Sequence, residues 1–232
     1  MDFSRRAHLS ELMDEPCSYE EFRDCLRDLE KVNRTVGSYR PTLGWLEQFA
    51  APGDAPLHIV DVGCGGGDML RRIEVWSRKR VKVRLTGIDL NPYAARAARE
   101  FTPGESEIEW LTGDAFSYQP SAAIDLVISS LFTHHLEDSE IARFIAWMER
   151  MARRGWFIND LHREKVPYYG FKALAWVMRW HKFVQHDGPI SILRSFRRAD
   201  WEQYCSMAGV GTGDVQIEEV KPARLCVSRL KA

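Results

Sequence analysis

The chain has 232 residues, enough for one domain with a substantial core and an added cap. Its 32 lysines and arginines against 33 aspartates and glutamates leave a net charge of -1, which excludes a global electrostatic pull toward nucleic acid. An apolar fraction of 45% with no bilayer-length run excludes an integral helical membrane protein and fits an ordinary water-soluble domain.

Cys17, Cys25, Cys64, Cys205 and Cys226 form no CxxC pair, so they read as reduced thiols of a cytoplasmic protein, not as a disulfide frame or zinc site. Met1–Arg6 leads into no apolar stretch, so no secretory leader is expected. Residues 1–50 read as a helical cap. Ser18 and Glu21 fit a capping box, followed by Phe22, Cys25, Leu26, Leu29 and Val32 at helical spacing. Gly37 and Pro41 interrupt it, and a short helix resumes over 42–49. Residues 51–56, with two prolines and a glycine, read as a linker into a core domain spanning 51–232.

Strands and helices then alternate, which implies parallel βαβ units. The pattern predicts strands at 57–62, 81–89, 108–111, 124–129 and 155–159, with helices at 68–78, 92–101 and 139–152. Residues 164–198 form an insertion after the fifth strand. Its stretch 167–183 predicts one helix, aromatic nearly all round, with Trp176 and Trp180 a turn apart on one face. Residues 186–190 predict a turn closing this lid. A helix at 199–208 and strands at 215–220 and 224–229 follow. The link 221–223 is too short for a parallel crossover, so the last strand is expected to run antiparallel. The fold class is α/β: a Rossmann-like, mostly parallel seven-stranded sheet with a helical cap and lid.

The junction Asp61-Val62-Gly63-Cys64-Gly65-Gly66-Gly67-Asp68 ends the first strand and opens the first core helix. Alternating glycines let a ligand approach the backbone, and the helix start presents free N–H groups. Asp89 ends the second strand about 20 residues further on, where a carboxylate can accept from both hydroxyls of a ribose. Asp114 ends the third strand, where it can receive an adenine amino group with Ala115 and Phe116 beside the ring. Asp125, opening a buried strand, reads as structural.

These segments, together with Asp125-Leu126-Val127-Ile128-Ser129-Ser130, resemble in order and spacing the motifs of class I S-adenosylmethionine-dependent methyltransferases. The resemblance covers roughly residues 55–160 closely and the rest in layout. It implies S-adenosyl-L-methionine as cofactor. Asp61, Gly63, Gly65 and Gly67 then hold the methionine part, Asp89 the ribose and Asp114 the adenine, with Leu90, Ala115 and Ser129 completing that wall. Arg34 or Arg40 is a candidate partner for the methionine carboxylate.

The acceptor should meet the strand-four and strand-five ends, where His134, His135 and His162 gather near one rim. A histidine can take a proton from a hydroxyl during in-line methyl transfer. His134-His135-Leu136 also resembles the segment that carries the general base in plant small-molecule O-methyltransferases, which maps that base onto His134. Metal-dependent catechol-type enzymes use an acid where this chain has Ser129-Ser130, and Asp-Asn where it has Asn159-Asp160, so no metal is expected. Phe132, Tyr168, Tyr169, Phe171 and Trp176 are candidate contacts for an aromatic or lipophilic small molecule. A packed core helix and a basic-aromatic face resting on a membrane are the other readings of residues 168–183. Looser likeness to small bacterial methyltransferases of aromatic polyketide and phenolic-lipid pathways favours a phenolic acceptor. Transfer to carbon, as in quinone biosynthesis, or to nitrogen are the alternatives. Neither a basic groove nor an Asn-Pro-Pro-Tyr-like segment points to nucleic acid.

Overall fold

A computed structural model describes residues 2–51 and 55–231. The centre of the expected linker, 52–54, lies outside the described residues. Seven strands form one sheet: β1 (Leu57–Val62), β2 (Val83–Asp89), β3 (Glu109–Thr112), β4 (Ile124–Ser130), β5 (Ala152–Leu161), β6 (Gln216–Val220) and β7 (Arg224–Leu230). Their spatial order is β3-β2-β1-β4-β5-β7-β6. Strands β1 to β5 pair in parallel, while β7 runs antiparallel to both β5 and β6. The strand order reverses at β1, the place where open α/β sheets leave a crevice for ligands.

Helices cover both faces of the sheet, so its central strands are apolar on both sides. In β1, Leu57 and Ile59 face the core under α2 (Arg40–Leu46), α3 (Asp68–Ser77) and α4 (Pro92–Phe101). Val60 and Val62 face the core under α5 (Asp138–Met151) and α8 (Arg198–Met207). Asp125 is structural, as its position suggests: its carboxylate accepts the His58 N–H at 2.9 Å and ties the start of β4 to β1.

The cap departs from the sequence reading at its start. Helix α1 (Tyr19–Thr35) begins on the expected Ser18–Glu21 capping box. Before it, the chain is extended apart from one 3-10 turn at Leu12–Asp14. Its backbone is satisfied by the lid instead of by itself. Ala7 N–H donates to Leu193, and the Asp187 carboxylate accepts the N–H groups of Leu12 and Met13. This N-terminal strap therefore crosses above the sheet.

The lid also departs from expectation. It is two helices, α6 (Lys165–Val177) and α7 (Lys182–Arg194), broken at residues 178–181. Arg179 takes a left-handed φ of 50°, and the His181 ring caps α7 through the Phe183 N–H. The break turns Trp176 to solvent and buries Trp180. The expected turn at 186–190 lies inside α7 despite Pro189. Gly188 leaves room for the Phe171 ring, where a Cβ would sit 2.0 Å from it, so close packing of α6 on α7 holds the helix through the proline. Cap and lid meet where Cys25 and Val32 of α1 pack with Trp180, Phe183 and Val184.

Candidate active site

A cavity of about 800 Å³ opens above the C-terminal strand ends, roofed by α1, the strap and the lid. At one end is the glycine turn. Gly63 and Gly67 have φ of 71° and 76°, a region open to glycine at little cost. A Cβ on Gly63 would lie 2.4 Å from the Phe132 ring, and one on Gly67 would lie 2.2 Å from Trp110. Gly67 thus shapes the start of α3, while Gly63, Gly65 and Gly66 line the cavity. Asp89 accepts the Gly65 N–H and the Asn91 N–H, both at 2.9 Å, which fixes the turn against the end of β2. Asp114 lies on the wall beyond it and accepts the Phe116 N–H. Asp61 is buried on the wall with Oδ1 unpartnered. Burial, with Asp68 and Asp89 nearby, pushes its carboxyl well above the usual range. A buried lone acid of this kind suits a ligand that brings a positive charge.

At the other end, the β4 and β5 termini build a histidine–carboxylate dyad. His134 Nδ1 lies 2.7 Å from Asp160 Oδ1, and both residues are buried. Asp160 also accepts from the Thr133 hydroxyl at 2.5 Å, the His134 N–H at 3.1 Å and the Leu161 N–H at 2.7 Å. Burial alone would raise its carboxyl, but His134 and these donors hold it down to about 2. An ionised carboxylate only accepts, so Nδ1 donates to Asp160 and Nε2 is the ring nitrogen left on the other side. Nε2 is 4.0 Å from Glu11 of the strap. Burial pushes the Glu11 carboxyl up, and its Oε1 accepts from Ser191. His135 stands beside Asp14 at 3.4 Å, and Arg194 pairs with Asp14 at 2.9 Å. The glycine turn, the acids at successive strand ends and His134 thus share one cavity.

A family model described as a methyltransferase domain matches residues 59–155. The chain is 29% identical to ajmaline N-methyltransferase of Rauvolfia serpentina over 73% of its own length and 66% of that enzyme. It is 24% identical to the ubiquinone biosynthesis O-methyltransferase of Aromatoleum aromaticum over 75% and 71%. Human N-acetylserotonin methyltransferase, solved in complex with SAM, superposes with a TM-score of 0.63 at 16% identity, over 93% of this chain and 57% of that one. Residues 59–155 thus carry a methyltransferase domain, and the chain shares its fold with the N-acetylserotonin enzyme. It spans less than two thirds of the length of the ajmaline and N-acetylserotonin enzymes.

The remaining candidates divide by position. Leu90 sits on the cavity rim, largely exposed, and Ala115 lines the wall. Ser129 is buried and donates to the Val62 carbonyl, tying β4 to β1. Arg34 is exposed and off the cavity; the guanidinium on that wall is Arg71, which bonds the Gly66 carbonyl and Glu30. His162 lies off the cavity, its N–H donating to the Ala223 carbonyl. Phe132 and Phe171 line the cavity, Phe132 close against Gly63. Tyr168 is buried against Phe3 instead, and Tyr169 and Trp176 face outward at 60% and 74% exposure.

Asp160 and Glu11 escaped the sequence reading as site residues. The signal for Asp160 was an acid at the end of β5, beside a histidine loop after β4. Glu11 left no signal, because an extended strap carries it over the cavity from 123 residues away. Glu11, His134 and His135 bring ligating atoms within 4.8 Å of one another, a set of types that can hold a divalent cation. Arg194, 3.6 Å from Glu11, already supplies positive charge to that corner. Among the described residues, no helix is long and apolar enough to cross a membrane.

Proposed function

We propose that the protein transfers a methyl group from S-adenosyl-L-methionine to the oxygen of a small phenolic or otherwise hydrophobic acceptor, with His134 as general base. The observation that carries this reading is the His134–Asp160 dyad on the cavity that also holds the glycine turn. When bound, S-adenosylmethionine supplies a methyl group on a positively charged sulfur. Asp61 would hold its amino-acid end, Asp89 its ribose and Asp114 its adenine.

His134 Nε2 takes the acceptor proton as the oxygen attacks in line. A phenol of pKa about 10 costs about 4 kcal/mol to ionise at neutral pH, so a base acting during transfer removes a real part of the barrier. Asp160 holds the imidazole in the right tautomer and stabilises the cation that forms. Phe132, Phe171, Leu174 and Ile192 exclude water from the acceptor end.

Transfer to nitrogen is the second reading, favoured by buried Glu11, whose carboxyl group can hold an amine that arrives protonated and gives its proton to His134 before the nitrogen attacks. The outer face of α6 supports peripheral contact with a membrane. Tyr169, Trp176, Val177 and Met178 are exposed there beside Lys165, Lys172 and Arg179. Five free thiols, four of them buried, support a cytoplasmic location.

The test is a methyl-transfer screen against phenols, quinols and amines read by product mass, with calorimetry of S-adenosylmethionine and NAD alongside. Methylated phenols are expected. Asp89→Ala should weaken cofactor binding by about 1.5–3 kcal/mol, the scale of a lost charge-assisted hydrogen bond. Tight NAD binding without response to S-adenosylmethionine would discard the reading.

A further inference from the structure

Among the described residues, buried guanidinium groups are neutralised, with one exception. Arg163, fully buried, pairs with Asp200 at 2.9 Å and bonds the Phe3 carbonyl. Arg194 pairs with Asp14, and Arg6 with Asp138. Arg224 opens β7 and is 6% exposed, yet among the described residues no carboxylate pairs with it. Its Nη2 donates to the Ser38 hydroxyl, and its Nη1 has no partner at all. Asp160, the acid nearest in influence, already serves His134, Thr133 and two backbone N–H groups. A buried cation without a counter-ion is costly, and a bound anion removes that cost. Arg224 lies on the cavity wall with Ala223 and Leu161, so an anionic ligand can reach it.

We propose that Arg224 binds a carboxylate carried by the acceptor. Its place in the sheet separates this from the cofactor's own carboxylate. Strands β1 and β7 are separated by β4 and β5, three inter-strand spacings or roughly 14 Å. The ammonium and carboxylate of an amino acid share one carbon. If Asp61 at the end of β1 receives the ammonium, Arg224, paired across from Leu161 at the end of β5, lies beyond the amino-acid end. A planar guanidinium there matches a carboxylate in geometry as well as charge. The inference rests on the methyltransferase reading of the cavity and adds the acceptor's charge to it.

The probes are 4-hydroxybenzoate and salicylate against their neutral amides, titrated calorimetrically into wild type, Arg224→Met and Arg224→Lys, each with S-adenosylhomocysteine present. In wild type at least one acid should bind tenfold or more tighter than its amide. Arg224→Met should erase that preference and Arg224→Lys retain part of it, with S-adenosylmethionine affinity within twofold of wild type. The ligand-free melting temperature of Arg224→Met should equal or exceed that of wild type, since an unpaired buried charge is removed.

Acids binding no better than amides in wild type would overturn the proposal. So would a loss of S-adenosylmethionine affinity in Arg224→Met that decarboxylated S-adenosylmethionine does not show, because this places the residue on the cofactor. A lowered melting temperature with cofactor binding lost would assign Arg224 a structural role and overturn it too. Failure of wild type to bind S-adenosylmethionine would remove the methyltransferase reading, while the preference for acid over amide would still report on Arg224.

Discussion

His134 Nδ1 and Asp160 Oδ1 meet at 2.7 Å across the ends of two neighbouring strands. The pair is buried, and three further donors fix the carboxylate so that it can serve only one side of the imidazole. Replacing His134 by Ala should reduce turnover by about 10²–10⁴, the usual range for a general base, with cofactor affinity little changed. Asp160→Asn should lower kcat and shift the pH–rate profile, because an amide no longer imposes the tautomer. Steady-state kinetics with an acceptor from the screen check both; full turnover in His134→Ala would refute the base.

Asp61 should trade stability for binding. Its folded carboxyl is raised by burial and by Asp68 and Asp89, so the folded, ligand-free protein holds this proton more tightly than the unfolded chain. Stability from this group is therefore present below the ordinary carboxylate pKa, near about 4, and is lost as pH rises through and beyond it. Asp61→Asn should flatten that loss and stabilise the ligand-free protein at neutral pH by about 1–2 kcal/mol. The same change should weaken S-adenosylmethionine. Melting curves across pH and calorimetry give the two readouts.

The glycine turn should tolerate substitution unevenly. Gly67→Ala combines a left-handed φ with a clash against Trp110 and should cost about 3 kcal/mol or more in chemical denaturation. Gly66→Ala meets only ordinary contacts at 3.4–3.5 Å and should change stability by less than about 1 kcal/mol. Equal costs would mean that backbone conformation and packing do not set the difference.

The outer face of α6 should be dispensable for folding and needed for membranes. Tyr169→Ala with Trp176→Ala removes side chains that are 60% and 74% exposed, so the melting temperature should stay near that of wild type. Co-sedimentation with anionic phosphatidylserine vesicles at low salt should fall in this double variant. Binding that is absent in wild type, or unchanged in the variant, would count against a membrane role.

The sequence by itself determined the sheet, the glycine turn and the acids at the strand ends. These are local signals. A strand buried on both faces is a continuous apolar run, glycines mark turns whose φ other residues avoid, and capping residues mark helix starts such as Ser18. Only the tertiary structure decided the histidine end of the cavity. Glu11 reaches His134 through an extended strap whose N–H groups are satisfied by Asp187, a contact with no periodicity to read. The 178–181 break sent Trp176 outward and Trp180 inward, where a single helix would have placed them on one face. Arg224 looks in sequence like any strand-end arginine; its burial without a counter-ion exists only once β7 is laid against β5.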